Sequence, residues 1–218
     1  MIAVIAGATG LTGQAIVQQL EPMQEITEIK VLVRTSGIIA PSIKLKEIIL
    51  PWNGLKNLRA DIRTSLSGDF YFCALGTTIK KAGSPEAFRE IDFDAIFSFA
   101  QIAEAHSAQS LTLISSSGAN PNSPIFYSRV KGETESAVSK LKIPRIVILR
   151  PGLLIGDRIE SRPAERMAIQ AWRALASVRP ESISHSAGTP ISNLAHVAVA
   201  EGLKSDPGRL ILESGQLQ

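Results

Sequence analysis

The chain has 218 residues, 44% hydrophobic and 20% charged, which suits one large domain with a substantial core. A formal charge of +3 is modest, its basic residues are dispersed, and helix-turn-helix, zinc-finger and aromatic-basic patterns are missing, so nucleic acid is not an expected partner. Cys73 is the only cysteine, which excludes an intrachain disulfide and fits a reducing compartment.

Ile2–Ala6 reads as a first strand, Leu11–Leu20 as a helix and Ile29–Val33 as a second strand. Ile43–Leu50 is a third strand, with Lys44 and Lys46 marking a face near solvent. Phe70–Leu75 is the fourth, followed by one long helix over about Pro85–Ala105. Leu111–Ile114 and Arg145–Leu149 are the fifth and sixth, separated by a helix over about Pro124–Leu141. Farther on, Pro163–Ala176 reads as helical, Ile191 as a short strand or loop, and Leu194–Leu203 as helical. No repeat, low-complexity tract or linker divides the chain. Strands alternating with helices predict a doubly wound parallel sheet, a three-layer α/β/α Rossmann fold over residues 1–218. The part from about residue 152 to 218 is expected to fold over the carboxyl edge of the sheet as a small substrate lobe. Met1 leads straight into an apolar strand, and no apolar run approaches the roughly 20 residues of a membrane-spanning helix. The expectation is a cytoplasmic protein without membrane association.

Ligands of open α/β sheets sit beyond the carboxyl ends of the strands. Gly7-Ala8-Thr9-Gly10-Leu11-Thr12-Gly13 stands there, between the first strand and its helix. Gly7 permits the tight turn, Gly10 admits backbone close to a pyrophosphate, and Gly13 lets the helix pack on the sheet. The amides at the helix start, with the helix dipole, then hold phosphates. A glycine-rich turn without a ligand is the bland alternative, and its place between strand and helix counts against it. Arg34 follows the second strand, 21 residues after Gly13. NAD-selective proteins place Asp or Glu here; an arginine offers a charged fork to a 2′-phosphate, with Thr35 and Ser36 as further donors. NADPH is therefore expected in preference to NADH, against the plainer reading of a solvated arginine at a strand end.

Tyr127 and Lys131 are four apart, which on a helix puts them on one face, and Ser123-Pro124 is expected to cap that helix. A neighbouring ammonium favours the phenolate, so Tyr127 is suited to give a proton to a carbonyl oxygen as hydride reaches its carbon. Ser115 and Ser116 follow the fifth strand, and Ser116 is placed to steady charge on that oxygen. Each of these residues alone is unremarkable; their order after a phosphate cradle carries the reading. His106, His185 and His196 lack metal-ligand spacing, so no metal is expected, and only His185 suits a place near a substrate. Cys73 reads as a small core residue and Phe93, Ile96 and Phe97 as a packing face.

These residues resemble the short-chain dehydrogenase/reductase superfamily. The chain is closer still to its atypical branch of Tat-interactive protein 2 oxidoreductases, through Ala74-Leu75-Gly76-Thr77-Thr78, Lys81-Ala82-Gly83, Ser116-Ser117-Gly118-Ala119, Arg150-Pro151-Gly152-Leu153-Leu154 and Asp157–Pro163. The resemblance runs from the first residues to about Ala176. It implies an NADPH-binding Rossmann domain with reductase chemistry on a small carbonyl compound, with Leu75, Gly76 and Thr77 lining the cofactor and Pro151, Gly152, Leu153 and Leu154 beside the nicotinamide. Ser115, Thr9, Leu11, Thr12 and Lys131 join the cofactor contacts, and Asp157–Pro163 lies near the substrate mouth. Two departures stand out. Relatives often carry an acidic residue near the end of strand three, where this chain reads Leu50-Pro51-Trp52. The larger enzymes also use an asparagine on the helix after strand four, and residues 85–105 contain none. The branch is named for a protein interaction, which keeps open a redox-sensing regulator acting through a protein partner. The set Ser116, Tyr127 and Lys131 favours an enzyme, since a pure sensor needs the cradle alone. A sugar-nucleotide epimerase uses the same residues but needs a larger substrate domain than the chain after Leu154 supplies.

Overall fold

Ala3–Ala6 is apolar throughout, so the first strand has no face suited to water and must be covered on both sides. The computed structural model, which describes residues 1–50, 55, 60–155 and 188–218, covers it in that way. Strands β1 (Ile2–Ala6), β2 (Glu28–Val33), β3 (Leu45–Ile49), β4 (Phe70–Cys73), β5 (Ser110–Ile114) and β6 (Arg145–Arg150) alternate with helices. The short strands β7 (Leu154–Ile155) and β8 (Thr189–Pro190) pair with each other, and β9 (Gly208–Glu213) returns to the main sheet. The sheet has seven parallel strands in the order β3-β2-β1-β4-β5-β6-β9. The order reverses between β1 and β4, where a doubly wound sheet opens its ligand crevice. In register Ala6 stands opposite Leu32 and Cys73, and Ile114 opposite Leu149. The loops leaving all these strands therefore emerge at one edge.

Strand periodicity divides the core in two. Ala3, Ile5, Phe70, Phe72, Val147 and Leu149 pack against Ile16, Val17 and Leu20 of α1 (Leu11–Leu20) and against Leu194, Ala195, Ala198 and Val199 of α7 (Ile191–Gly202). Val4, Ala6, Tyr71, Cys73, Leu111 and Ile146 face the opposite layer, made by α2 (Ala60–Ser65), α5 (Ile96–Ala105) and α6 (Phe126–Val138), where Ile96, Phe99 and Val138 are buried. Each large apolar side chain so covered contributes about 1.5–3 kcal/mol.

Several elements differ from the sequence reading. The single helix expected over residues 85–105 is α4 (Pro85–Arg89), a π-helical turn over Glu90–Ala95, and α5, with the short α3 (Ile79–Ala82) before them. Ser84 caps α4 through its hydroxyl, which accepts from the Ala87 amide, and Pro85 occupies the first turn. The third strand is shorter than expected because Ile43 is fully exposed and only Leu45–Ile49 pairs with β2. The fourth strand stops at Cys73, and α6 runs over Phe126–Val138. Ser123 does not cap α6: its hydroxyl accepts from Ile125, in the turn before the helix. Ile191 opens α7 rather than lying in a strand. Of the segment expected to form a substrate lobe, α7 and β9 join the main core and sheet. Residues 156–187, with the expected helix Pro163–Ala176, lie outside the described residues. No described helix is long and apolar enough to cross a membrane.

Candidate functional site

The cradle is built by backbone contact. Gly7 has φ +85°, open to glycine at little cost, and a Cβ there would stand 2.4 Å from the Ala74 carbonyl oxygen and 2.7 Å from the Leu75 amide. The exits of β1 and β4 are thus in contact where the sheet order reverses. Gly13 is pressed on the same turn, its missing Cβ 2.2 Å from the Gly7 carbonyl. Gly10 is the N-cap of α1, and its only close neighbour there would be Gly7 O at 3.4 Å. The first intrahelical bond runs from Gln14 to the Gly10 carbonyl at 2.9 Å, so the amides of Leu11, Thr12 and Gly13 precede it. No side chain caps this end and no acidic residue lies in the first turn. The Gln14 side chain donates to Thr9 O at 3.2 Å and ties down the turn. Arg34 and Thr35 are exposed at the same edge after β2, and Arg34 makes no ion pair among the described residues.

Lys131 lies on the buried side of α6, four residues after the half-buried Tyr127. The Tyr127 ring sits 5.5 Å from that of Phe88, a fully buried residue of α4. The Lys131 Nζ is 2.7 Å from Asp92 Oδ1, and the Asp92 side chain is wholly buried. Burial works against the Lys131 charge, but the facing Asp92 carboxylate and the nearby Tyr127 outweigh it and hold the lysine pKa above its ordinary value. The other Asp92 oxygen accepts from the Thr77 amide at 2.9 Å, which ties the loop leaving β4 to the same group. Gly76 lies over the pair, with space for a Cβ about a van der Waals contact from Asp92 Oδ1 and Lys131 Nζ.

Beyond β5 the two serines diverge. The Ser116 hydroxyl is buried without a hydrogen-bond partner among the described residues. Ser115 was expected to touch the cofactor, but its hydroxyl donates to Glu135 at 2.5 Å, within a network under the site. There Arg150 binds Glu135 at 2.6 Å and Glu213 at 2.7 Å, joining α6, β6 and β9. The Ser117 amide donates to Pro151 O at 2.8 Å, and the Gly152 amide to Thr189 Oγ1 at 3.3 Å, fixing the β6 exit; Leu153 and Leu154 beyond it are exposed. Leu75 is buried beside the cradle.

Asp92 and Glu135 escaped the sequence reading. Asp92 stands four residues after Phe88 in an otherwise apolar helical face, and Glu135 extends the spacing of Tyr127 and Lys131 by another four. A carboxylate at a buried helical position was the available signal for each. His106 binds the Arg63 carbonyl at 2.8 Å and His196 is exposed, so neither joins the site. His185, Asp157–Pro163, Pro51 and Trp52 lie outside the described residues. Cys73 is buried beneath this edge, and desolvation pushes its thiol up to about 12.

A parallel sheet in this order, with its crevice at the reversal between β1 and β4, is a Rossmann fold. The fold resembles that of the Bordetella bronchiseptica enzyme WbmG, solved in complex with NAD, with a TM-score of 0.70 at 15% identity, covering 99% of this chain and 73% of that one. In sequence the chain is 40% identical over 162 residues to the mitochondrial protein FMP52 of Candida albicans, spanning 72% of this chain and 69% of that protein. It is 37% identical over 150 residues to rat HTATIP2, spanning 69% of this chain and 57% of that protein. The chain belongs to the family of the FMP52 proteins. No protein-family model matches it. The expected cytoplasmic location is corrected by this comparison, because the FMP52 relatives are named mitochondrial.

Proposed function

We propose that the chain is an NADPH-dependent oxidoreductase that passes hydride to a small carbonyl substrate, with Tyr127 giving the proton. The observation that carries this reading is the uncapped start of α1, packed through Gly7 and Gly13 against the β4 exit, at the edge where Lys131 is held charged. NAD in the WbmG complex supports a nicotinamide cofactor for the same fold. The exposed Arg34 fork, unpaired among the described residues and in the place where an acidic residue would select the ribose hydroxyls, supports NADPH. Leu11, Thr12, Thr35, Gly76, Thr77, Pro151, Gly152, Leu153 and Leu154 would border the cofactor, which supplies the hydride when bound. Ser116, with its unpartnered buried hydroxyl, would orient the carbonyl, and Lys131 would hold the ribose and favour the Tyr127 phenolate. The proton leaves the Tyr127 hydroxyl for the substrate oxygen as the carbonyl carbon is reduced. The FMP52 relatives support a mitochondrial location.

The test is titration of the protein with NADPH and NADH, wild type beside Arg34→Ala, followed by a carbonyl screen with Tyr127→Phe as control. Tighter NADPH binding that collapses in Arg34→Ala, with turnover lost in Tyr127→Phe, is the expected result. Binding of neither cofactor refutes the reading. NADPH binding without turnover of any carbonyl transfers it to a redox-sensing regulator that acts through a protein partner.

A further inference from the structure

We propose that Asp92 is a positioning residue of the cofactor edge, whose carboxylate joins the Lys131 ammonium to the Thr77 amide and so locks the lysine helix and the loop after β4 into one unit. The proposal rests on the cofactor reading for the identity of the ligand, and on the geometry alone for the coupling.

Asp92 is anchored at three points. Oδ1 meets Lys131 Nζ at 2.7 Å, Oδ2 accepts from the Thr77 amide at 2.9 Å, and the Asp92 carbonyl accepts from the Thr134 hydroxyl at 2.8 Å. Two of these reach α6 and the third reaches the loop that borders the cradle through Ala74 and Leu75. A plain structural ion pair needs no bond to Thr77. The residue also sits in the one π-helical turn among the described residues, a wider and less favourable turn than the α-helix on either side of it. The chain accepts that turn at the position from which Asp92 reaches both partners. The ammonium has three donors and a single carboxylate oxygen at ion-pair distance among the described residues, so Lys131 can serve a ligand oxygen without leaving the carboxylate.

The burial of both charged groups makes the arrangement testable. A buried ammonium without its carboxylate releases its proton far more readily. In Asp92→Asn, which keeps the shape and loses the charge, the Lys131 midpoint should fall by at least about one pH unit, read from the side-chain resonance of carbon-13-labelled lysine. NADPH affinity should weaken about tenfold or more, as it would for the loss of a single charge-assisted contact. Asp92→Glu, which retains the charge, should keep the midpoint high. The double variant Asp92→Asn, Lys131→Met should bind NADPH no worse than Lys131→Met alone, because Asp92 acts through the lysine.

An unmoved Lys131 midpoint in Asp92→Asn overturns the proposal, as does additive loss of affinity in the double variant. If Asp92→Asn does not fold, the double variant must fold and melt above it; its failure to do so also overturns the proposal. If the wild type binds neither NADPH nor NADH, the cofactor reading fails separately. The lysine titration then decides the coupling alone, a lowered midpoint supporting it and an unmoved one refuting it.

Discussion

A Cβ on Gly13 would stand 2.2 Å from the carbonyl oxygen of Gly7, so the first turn of α1 lies directly on the backbone leaving β1. The helix reaches the sheet only because this position has no side chain. Gly13→Ala must push one backbone segment off the other, at a cost of about 1–3 kcal/mol or more. Gly10→Ala meets only Gly7 O, at 3.4 Å, and should change stability by less than about 1 kcal/mol while still obstructing a pyrophosphate. Thermal unfolding and NADPH titration of the two variants check the separation. Equal losses of stability would end it.

The buried network under the site predicts an asymmetry. Glu135 has a side chain only 5% exposed and serves both Ser115 and Arg150, whereas Glu213 is 53% exposed and serves Arg150 and, as a helix cap, the Gln216 amide. Removing the buried partner strands charge and an unsatisfied hydroxyl, so Glu135→Ala should cost about 3–5 kcal/mol. Glu213→Ala, which removes an exposed ion pair and a helix cap, should cost less, about 1–2 kcal/mol. Denaturant midpoints with an unchanged slope would measure both.

Cys73 should be silent to thiol reagents until the protein unfolds. Desolvation holds its thiol up to about 12, against an ordinary value of 9.0, so the folded protein keeps a proton that the unfolded chain gives up. Its contribution to stability is complete below pH 9 and declines as pH rises toward 12. Urea midpoints at mildly and strongly alkaline pH, for wild type and Cys73→Ala, should show a shallower decline in the variant. An identical decline would mean that other groups account for it.

Strand and helix periodicity was enough to read most of the sheet, because strands such as Val4–Ala6 and Ile146–Leu149 are apolar on both faces and leave no alternative. β9 escaped because it is an edge strand: Leu210 and Leu212 alternate with Arg209 and exposed Ile211, and nothing local to the segment reveals that β6 waits for it. The broken helix over residues 85–105 escaped for a different reason. Phe88, Asp92, Ala95 and Phe99 keep a helical spacing, which an uninterrupted helix satisfies as well as one carrying a π-turn. The close backbone packing at Gly7 and Gly13 was legible from their spacing. Asp92 and Glu135 were not, since a single carboxylate in a helix is usually solvated, and only the packed layers reveal that these are enclosed. The Ser115 hydroxyl bond to Glu135 was not legible either, because two adjacent serines after a strand point to opposite sides and sequence does not say which one faces the edge.

The end of the described chain is held as firmly as its middle. Leu217 is fully buried in the core shared by α1 and α7, and Ser214 pairs with Thr189 at 3.2 Å. Leu217→Ala should cost about 2–5 kcal/mol, the usual range for emptying a closed apolar site. A melting temperature equal to wild type would show that the last turn merely rests on the surface.

The packing of α1 against α7 also bears on the order of assembly. The glycine turn Gly7–Gly13 rests on a helix that is covered by residues 191–202, a segment far from it in sequence. Without that segment Ile16, Val17 and Leu20 stay bare to water on that side, so the turn acquires its backing only through a contact between distant parts of the chain. A fold of this kind leaves its glycine turn unfinished until a distant segment docks, and completes it in one late step.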